Sequence, residues 1–99
     1  MGRRVGDLDF TDFPDDITLE HGKEKNGERE WWEYWKGHRG IVIQRLNSKA
    51  PFFIFFIEGN AVRTYKMPEI RAFKDVKDAV KELEAFGFKI RLKKACRGG

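Results

Sequence analysis

The 99-residue sequence predicts an α+β fold: an antiparallel meander of five or six strands with one helix packed on one face. Three observations predict it. The first is an apolar run, Phe52 to Ile57, bounded by Pro51 and by Glu58-Gly59-Asn60. A run this short, aromatic or β-branched and flanked by turn residues, reads as a buried strand. The second is a series of turn signals that cuts residues 17–67 into short segments. The third is one helical apolar stripe, Phe73, Val76, Ala79, Val80, Leu83 and Phe86. The expected order is β-β-β-β-(β)-α-β.

Residues 1–16 form an acidic arm. Gly2, Gly6, Pro14 and scattered aspartates break any pattern, so loose structure is expected. Leu8, Phe10 and Phe13 are too apolar for a solvated tail, so the arm is expected to dock on the body. Ile17 to Lys25 reads as a first strand, because Asn26-Gly27 is a strong two-residue hairpin signal. Its partner is Glu28 to Lys36. Gly37-His38-Arg39-Gly40 is a turn into Ile41 to Asn47. Ser48-Lys49-Ala50-Pro51 leads into the central run, and Gly59-Asn60 into Ala61 to Met67, which Pro68 ends.

The helix begins near Asp75, a suitable N-cap, and ends near Gly87, where a C′ glycine belongs. Phe88, Ile90 and Leu92 then alternate with Lys89, Arg91 and Lys93, a half-buried strand with a basic outer row. Residues 17–94 make one domain, and 95–99 a flexible tail.

Short turns fix which residues share a sheet face. Four-residue loops pair Lys36 with Ile41 and Asn47 with Phe52, and Gly59-Asn60 pairs Glu58 with Ala61. One face then carries Trp31, Trp35, Val42, Leu46, Phe53, Phe55, Ile57 and Val62. The other carries Trp32, Tyr34, Ile41, Ile43, Arg45, Phe52, Ile54, Phe56, Arg63, Tyr65 and Met67. A helix of about 12 residues is about 18 Å long. It covers some three strands, and only on one face. The helix is expected on the Trp31/Trp35 face, leaving the Trp32 face to the arm, to a second copy or to a ligand.

Charge is uneven. Residues 1–30 hold nine acids and five bases, net −4; residues 31–99 hold seven acids and fifteen bases, net +8; the sum is the net +4 of the chain. An acidic arm on a basic body points to an anionic partner. The function expected is therefore a non-enzymatic module binding single-stranded nucleic acid, with Trp32, Tyr34 and Tyr65 stacking on bases and Lys36, Arg45 and Arg63 meeting phosphates. The arm would compete with the ligand for that face. The alternative is a protein-interaction module, self-associating as a homodimer or docking a partner through the same face.

No catalytic or metal-binding spacing is present. His21 and His38 stand apart, Ser48 is the single serine, and Cys96 the single cysteine. No cofactor is implied. One cysteine allows no internal disulfide and fits a cytoplasmic location. No stretch approaches the roughly 20 apolar residues of a membrane span. The terminal Arg97-Gly98-Gly99 resembles both RGG segments and diglycine ends. The strand-then-helix order is similar to that of single-strand nucleic-acid-binding domains of the coactivator and purine-rich-element classes, a likeness of architecture that brings no site residue with it.

Overall fold

The computed structural model describes residues 4–5, 8–24, 29–64 and 71–94, with backbone alone at 4, 5, 63 and 64. The elements are β1 (Arg4–Val5), β2 (Leu8–Asp9), β3 (Asp16–Lys23), β4 (Glu30–Lys36), β5 (Arg39–Arg45), β6 (Phe53–Glu58), β7 (Ala61–Thr64), α1 (Val76–Glu84) and β8 (Lys89–Lys93). Six strands form one sheet in the order β7-β6-β5-β4-β3-β8, and β1 and β2 pair separately. The fold class is the expected one. The sheet is mixed, because β8 lies parallel to β3, with Ile17 opposite Ile90 and Leu19 opposite Leu92.

That parallel pair explains the helix. The chain leaves the sheet at one edge, β7, and must return to the other, beside β3. Parallel neighbours require a crossover, and α1 is that crossover. Its start is tied to the sheet: the Phe52 N–H donates to the Phe73 carbonyl at 2.7 Å and the Phe73 N–H to the Phe52 carbonyl at 2.9 Å. Asp75 is the N-cap residue, with extended backbone, although its side chain makes no capping hydrogen bond. Beyond the helix, Gly87 takes a φ of 101°, open to glycine without strain.

The turns into β5 and β6 are two residues off the expected register. Lys36 pairs with Arg39, not Ile41, around Gly37-His38, and Gly37 has a φ of 66°. Gln44 pairs with Phe53, so Asn47 does not face Phe52. Glu58 pairs with Ala61 as expected. Side chains alternate with period two, so errors of two residues leave the face assignments along β4, β5 and β6 standing. The flanks of the first hairpin pair Lys23 with Glu30; the Asn26-Gly27 turn itself lies outside the described residues. So do Met67, Pro68, Cys96 and the Arg97-Gly98-Gly99 end.

The partition of faces is as read, but the cover is on the opposite side. Ala79 and Leu83 of α1 are fully buried, and they pack in one cluster with Ile17, Leu19, Trp32, Ile41, Ile43, Ile54 and Phe56. The helix therefore lies on the Trp32 face and not on the Trp31/Trp35 face. Nine residues give about 14 Å of helix, too short for six strands about 4.8 Å apart. The arm closes the remainder. Leu8, Phe10 and Phe13 are buried; the Phe10 ring lies 5.3 Å from Phe56, and Phe13 meets Tyr34 edge-on at 5.6 Å.

Charge fastens the arm. Arg39 lies over both arm phenylalanines, at 5.1 Å from Phe10 and 5.2 Å from Phe13. Its Nη1 donates to both Asp12 carboxylate oxygens at 2.7 Å, and its Nη2 donates to the Asp9 carbonyl. The Arg39 hydrogen bond, with the charges of Arg39 and Lys36, holds the Asp12 carboxyl below its ordinary value.

Candidate nucleic-acid interface

The helix and the arm share one face, so the other is open. It is built from alternate residues of the same strands: Trp31, Glu33 and Trp35 on β4, Val42 and Gln44 on β5, Phe53, Phe55 and Ile57 on β6, and Val62 on β7. Beyond β4 the face continues over Thr18, Glu20 and Gly22 of β3 to Lys89, Arg91 and Lys93 of β8, all three exposed. One side of the face is thus aromatic and apolar, and the far edge is a row of cations.

The two tryptophans are held flat. Gly22 stands opposite Trp31 and Gly40 opposite Trp35. A Cβ on either glycine would overlap the indole of its partner, so each ring lies across the bare backbone of the neighbouring strand. Glu33 fixes both rings from between. Its Oε2 accepts from Trp31 Nε1 at 3.1 Å and its Oε1 from Trp35 Nε1 at 2.9 Å. Arg29 caps the other side of Trp31, with its guanidinium 4.4 Å from the ring centre and its Nε donating to Gln44 Oε1 at 3.0 Å. Between these groups and Phe55, Ile57 and Val62 lies an open concavity of about 420 Å³. Trp35 keeps 43 % of its surface exposed. A flat, braced, exposed aromatic surface is suited to stacking against a planar group.

The residues expected to make the site are not on this surface. Trp32 is 3 % exposed, beneath the helix, so it offers no ring face for stacking. Tyr34 is half-buried against Phe13. Lys36 donates to the Asp12 carbonyl at 2.9 Å, engaged with the arm. Arg45 donates to Glu30 Oε1 through Nε at 3.1 Å and Nη2 at 2.7 Å, and stacks over Phe52 at 4.9 Å. Arg63 is described by its backbone alone, paired with Phe56, and Tyr65 lies outside the described residues. The physical reason is apolar continuity: Ile17, Leu19, Trp32, Ile41, Ile43, Ile54 and Phe56 make an unbroken surface, which water leaves first.

A signal for the correct cover was present. The Trp31 face interleaves its aromatics with Thr18, Glu20, Glu33 and Gln44, the pattern of a sheet face meeting solvent. The basic row of Lys89, Arg91 and Lys93 is legible in the sequence; only the parallel pairing with β3 places it on the open face, two strands from β4.

Among the described residues no group of three His, Cys, Asp or Glu side chains could hold a metal ion, and no helix is long and apolar enough to cross a membrane. Comparison with known proteins finds no matching family model, no matching curated protein and no matching solved structure.

Proposed function

We propose that this chain is a non-enzymatic module, working in the cytoplasm, that binds single-stranded nucleic acid across the open face of its sheet. The observation that carries the reading is the braced pair of tryptophans beside a cationic edge. Trp35 supplies a stacking surface that needs no reordering, and Trp31 supplies one when Arg29 swings off its ring toward a phosphate; base–aromatic stacking contributes about 1–3 kcal/mol per base. The outer row Lys89, Arg91 and Lys93 lies two strand spacings from β4, about 10 Å, within reach of the phosphates of a strand stacked on those rings. Of the arm's acids, Asp12 is paired with Arg39 and Lys36 on the covered side, while Asp16 lies opposite Lys89 at one end of the cationic row. Glu33, the carboxylate nearest the rings, already accepts from both indoles.

The reading moves stacking from Trp32, Tyr34 and Tyr65 to Trp31 and Trp35, and phosphate contact to Arg29, Lys89, Arg91 and Lys93. Its test is a tryptophan fluorescence titration of the full chain with mixed-sequence single strands at low salt. Binding should fall steeply with added salt, because cations on the protein displace condensed counterions. Trp35→Ala should weaken it by about 1–3 kcal/mol. Arg91→Ala with Lys93→Ala should flatten the salt dependence by about two phosphate contacts. An unchanged fluorescence with no retention on an immobilised strand would end the reading. A salt-insensitive dimer in sedimentation would assign the face instead to a second copy, through Val42, Ile57 and Val62.

A further inference from the structure

A second concavity lies on the other side of the molecule, where the start of α1 meets the open end of the covered face. We infer that it is a binding site for a small anion with a flat apolar body, such as an aryl phosphate. The cleft has a volume of about 620 Å³, within the usual range for small-molecule sites. Trp32, Phe52, Val76 and Leu92 form an apolar wall, and Arg45, Lys74, Lys77 and Lys94 bring four cations to its rim against two carboxylates, Glu30 and Asp75, a net charge of +2.

The cleft has an excess of hydrogen-bond donors. Glu30 is already bracketed: His21 Nε2 donates to its Oε2 at 2.6 Å and Arg45 holds its Oε1. The Asp75 side chain makes no cap, so the first helical amides, Val76 and Lys77, gain no acceptor from it. The Trp32 ring lines the cleft, and its Nε1–H, closed off from water, has no acceptor among the described residues. A buried donor without a partner is unusual. Lysines and free helix amides around one hollow call for an acceptor of negative charge, and the Trp32 indole in its wall reports on occupancy. The wall calls for a flat apolar body on that acceptor. A neighbouring hollow of about 430 Å³ shares Arg45, Lys74 and Asp75 and adds Lys49, so the site is wide enough for a substituted ring.

The test is a nitrogen–proton NMR titration of the full chain with phenyl phosphate, with inorganic phosphate and with phenol. The expected result is a saturable shift of the Trp32 indole signal and of the Val76 and Lys77 amides by phenyl phosphate, with weaker responses to the other two. Lys74→Ala combined with Lys77→Ala changes exposed positions and leaves the fold intact. It should weaken phenyl phosphate at least about tenfold, as the loss of one charge-assisted contact would. Two results overturn the site: no movement of those three signals, or movement that never saturates and survives the double lysine variant. The Trp31 and Trp35 indole signals report the open face separately, so binding there is not mistaken for binding in the cleft.

Discussion

Phe55 and Phe56 are neighbours in one strand with opposite fates. Phe56 is buried among Phe10, Ile41 and Phe86, while Phe55 lines the open concavity beside Val62. Trp32 and Trp31 repeat the contrast one strand pair away. Aromatic content does not distinguish the two faces; what lies between the aromatics does. The covered face is apolar through its centre, with charged groups such as Glu30, Arg45, Lys36 and Arg39 at its ends, and draws the helix and the arm together. The open face alternates rings with Glu33, Gln44 and Glu20, which keep their water. The same residue types therefore form a core on one side and a presented surface on the other.

The largest effect should come from truncating the core side of this pair. Phe56→Ala removes a fully buried ring and should destabilise by about 3–5 kcal/mol in urea unfolding. Phe55→Ala, half-exposed, should fall well below that. Equal losses would mean that the open face is covered in solution. Leu83→Ala, with no exposed surface, belongs with Phe56, and about 2–5 kcal/mol is expected. A loss under half a kcal/mol would place the helix off the sheet.

Phe10→Ala sharpens the comparison from the arm. The sequence predicts a loosely structured arm that docks on the body and competes for the Trp32 face; the arm is docked, and its rings are core, with Phe10 between Arg39 and Phe56. The substitution should therefore cost several kcal/mol, on the order of a buried Phe→Ala change. Loss of the arm should lower the melting temperature and uncover Tyr34 and Phe56, on which Phe13 and Phe10 pack. An unchanged melting temperature would return the arm to solvent.

What was legible in the sequence follows from period two. Alternation along Glu30–Lys36 and Phe53–Glu58 assigned each ring to a face, and that assignment survived two wrong loop lengths because each error was two residues. The side bearing the cover was not legible from aromatic counts, because both faces had enough. The polar residues between the rings held that information. The pairing of β8 with β3 was also hidden, since nothing local to Lys89–Lys93 says which strand it meets; the order of edges decides it. The cleft was only half legible: Trp32 and Arg45 stood among the expected residues, but Lys74, Lys77 and Lys94 reach them only through the crossover.

A smaller effect tests the bracing of the open face. Gly40→Ala places a methyl group where the Trp35 indole lies, and the ring must leave the backbone. Overpacking of this kind costs about 1–3 kcal/mol, and less where the displaced ring can turn into solvent, as Trp35 can. The Trp35 indole N–H signal should shift as its bond to Glu33 breaks, while the Trp32 signal stays in place. A shift at both would mean that the two faces are coupled through β5.

The smallest effect is in the acid limb of stability. Burial alone raises the pKa of Glu30, but the hydrogen bonds from His21 and Arg45, with the charge of Arg45, outweigh it and hold the carboxyl below its ordinary 4.5. A carboxylate whose pKa is lower folded than unfolded adds stability above the unfolded value. That stability is lost as pH falls through the folded value. The loss therefore begins near pH 4.5 and continues below it. Glu30→Gln should be less stable at neutral pH, where the pair with Arg45 is broken, and should show a shallower decline of the urea midpoint on acidification. Asp12→Asn should act in the same direction, its pair with Arg39 lying at the surface, where salt screens it. A Glu30→Gln chain that declines on acidification as steeply as the unaltered one would show that the His21–Glu30–Arg45 cluster does not hold the carboxylate ionised, and that the end of the covered face under the cleft is open to water.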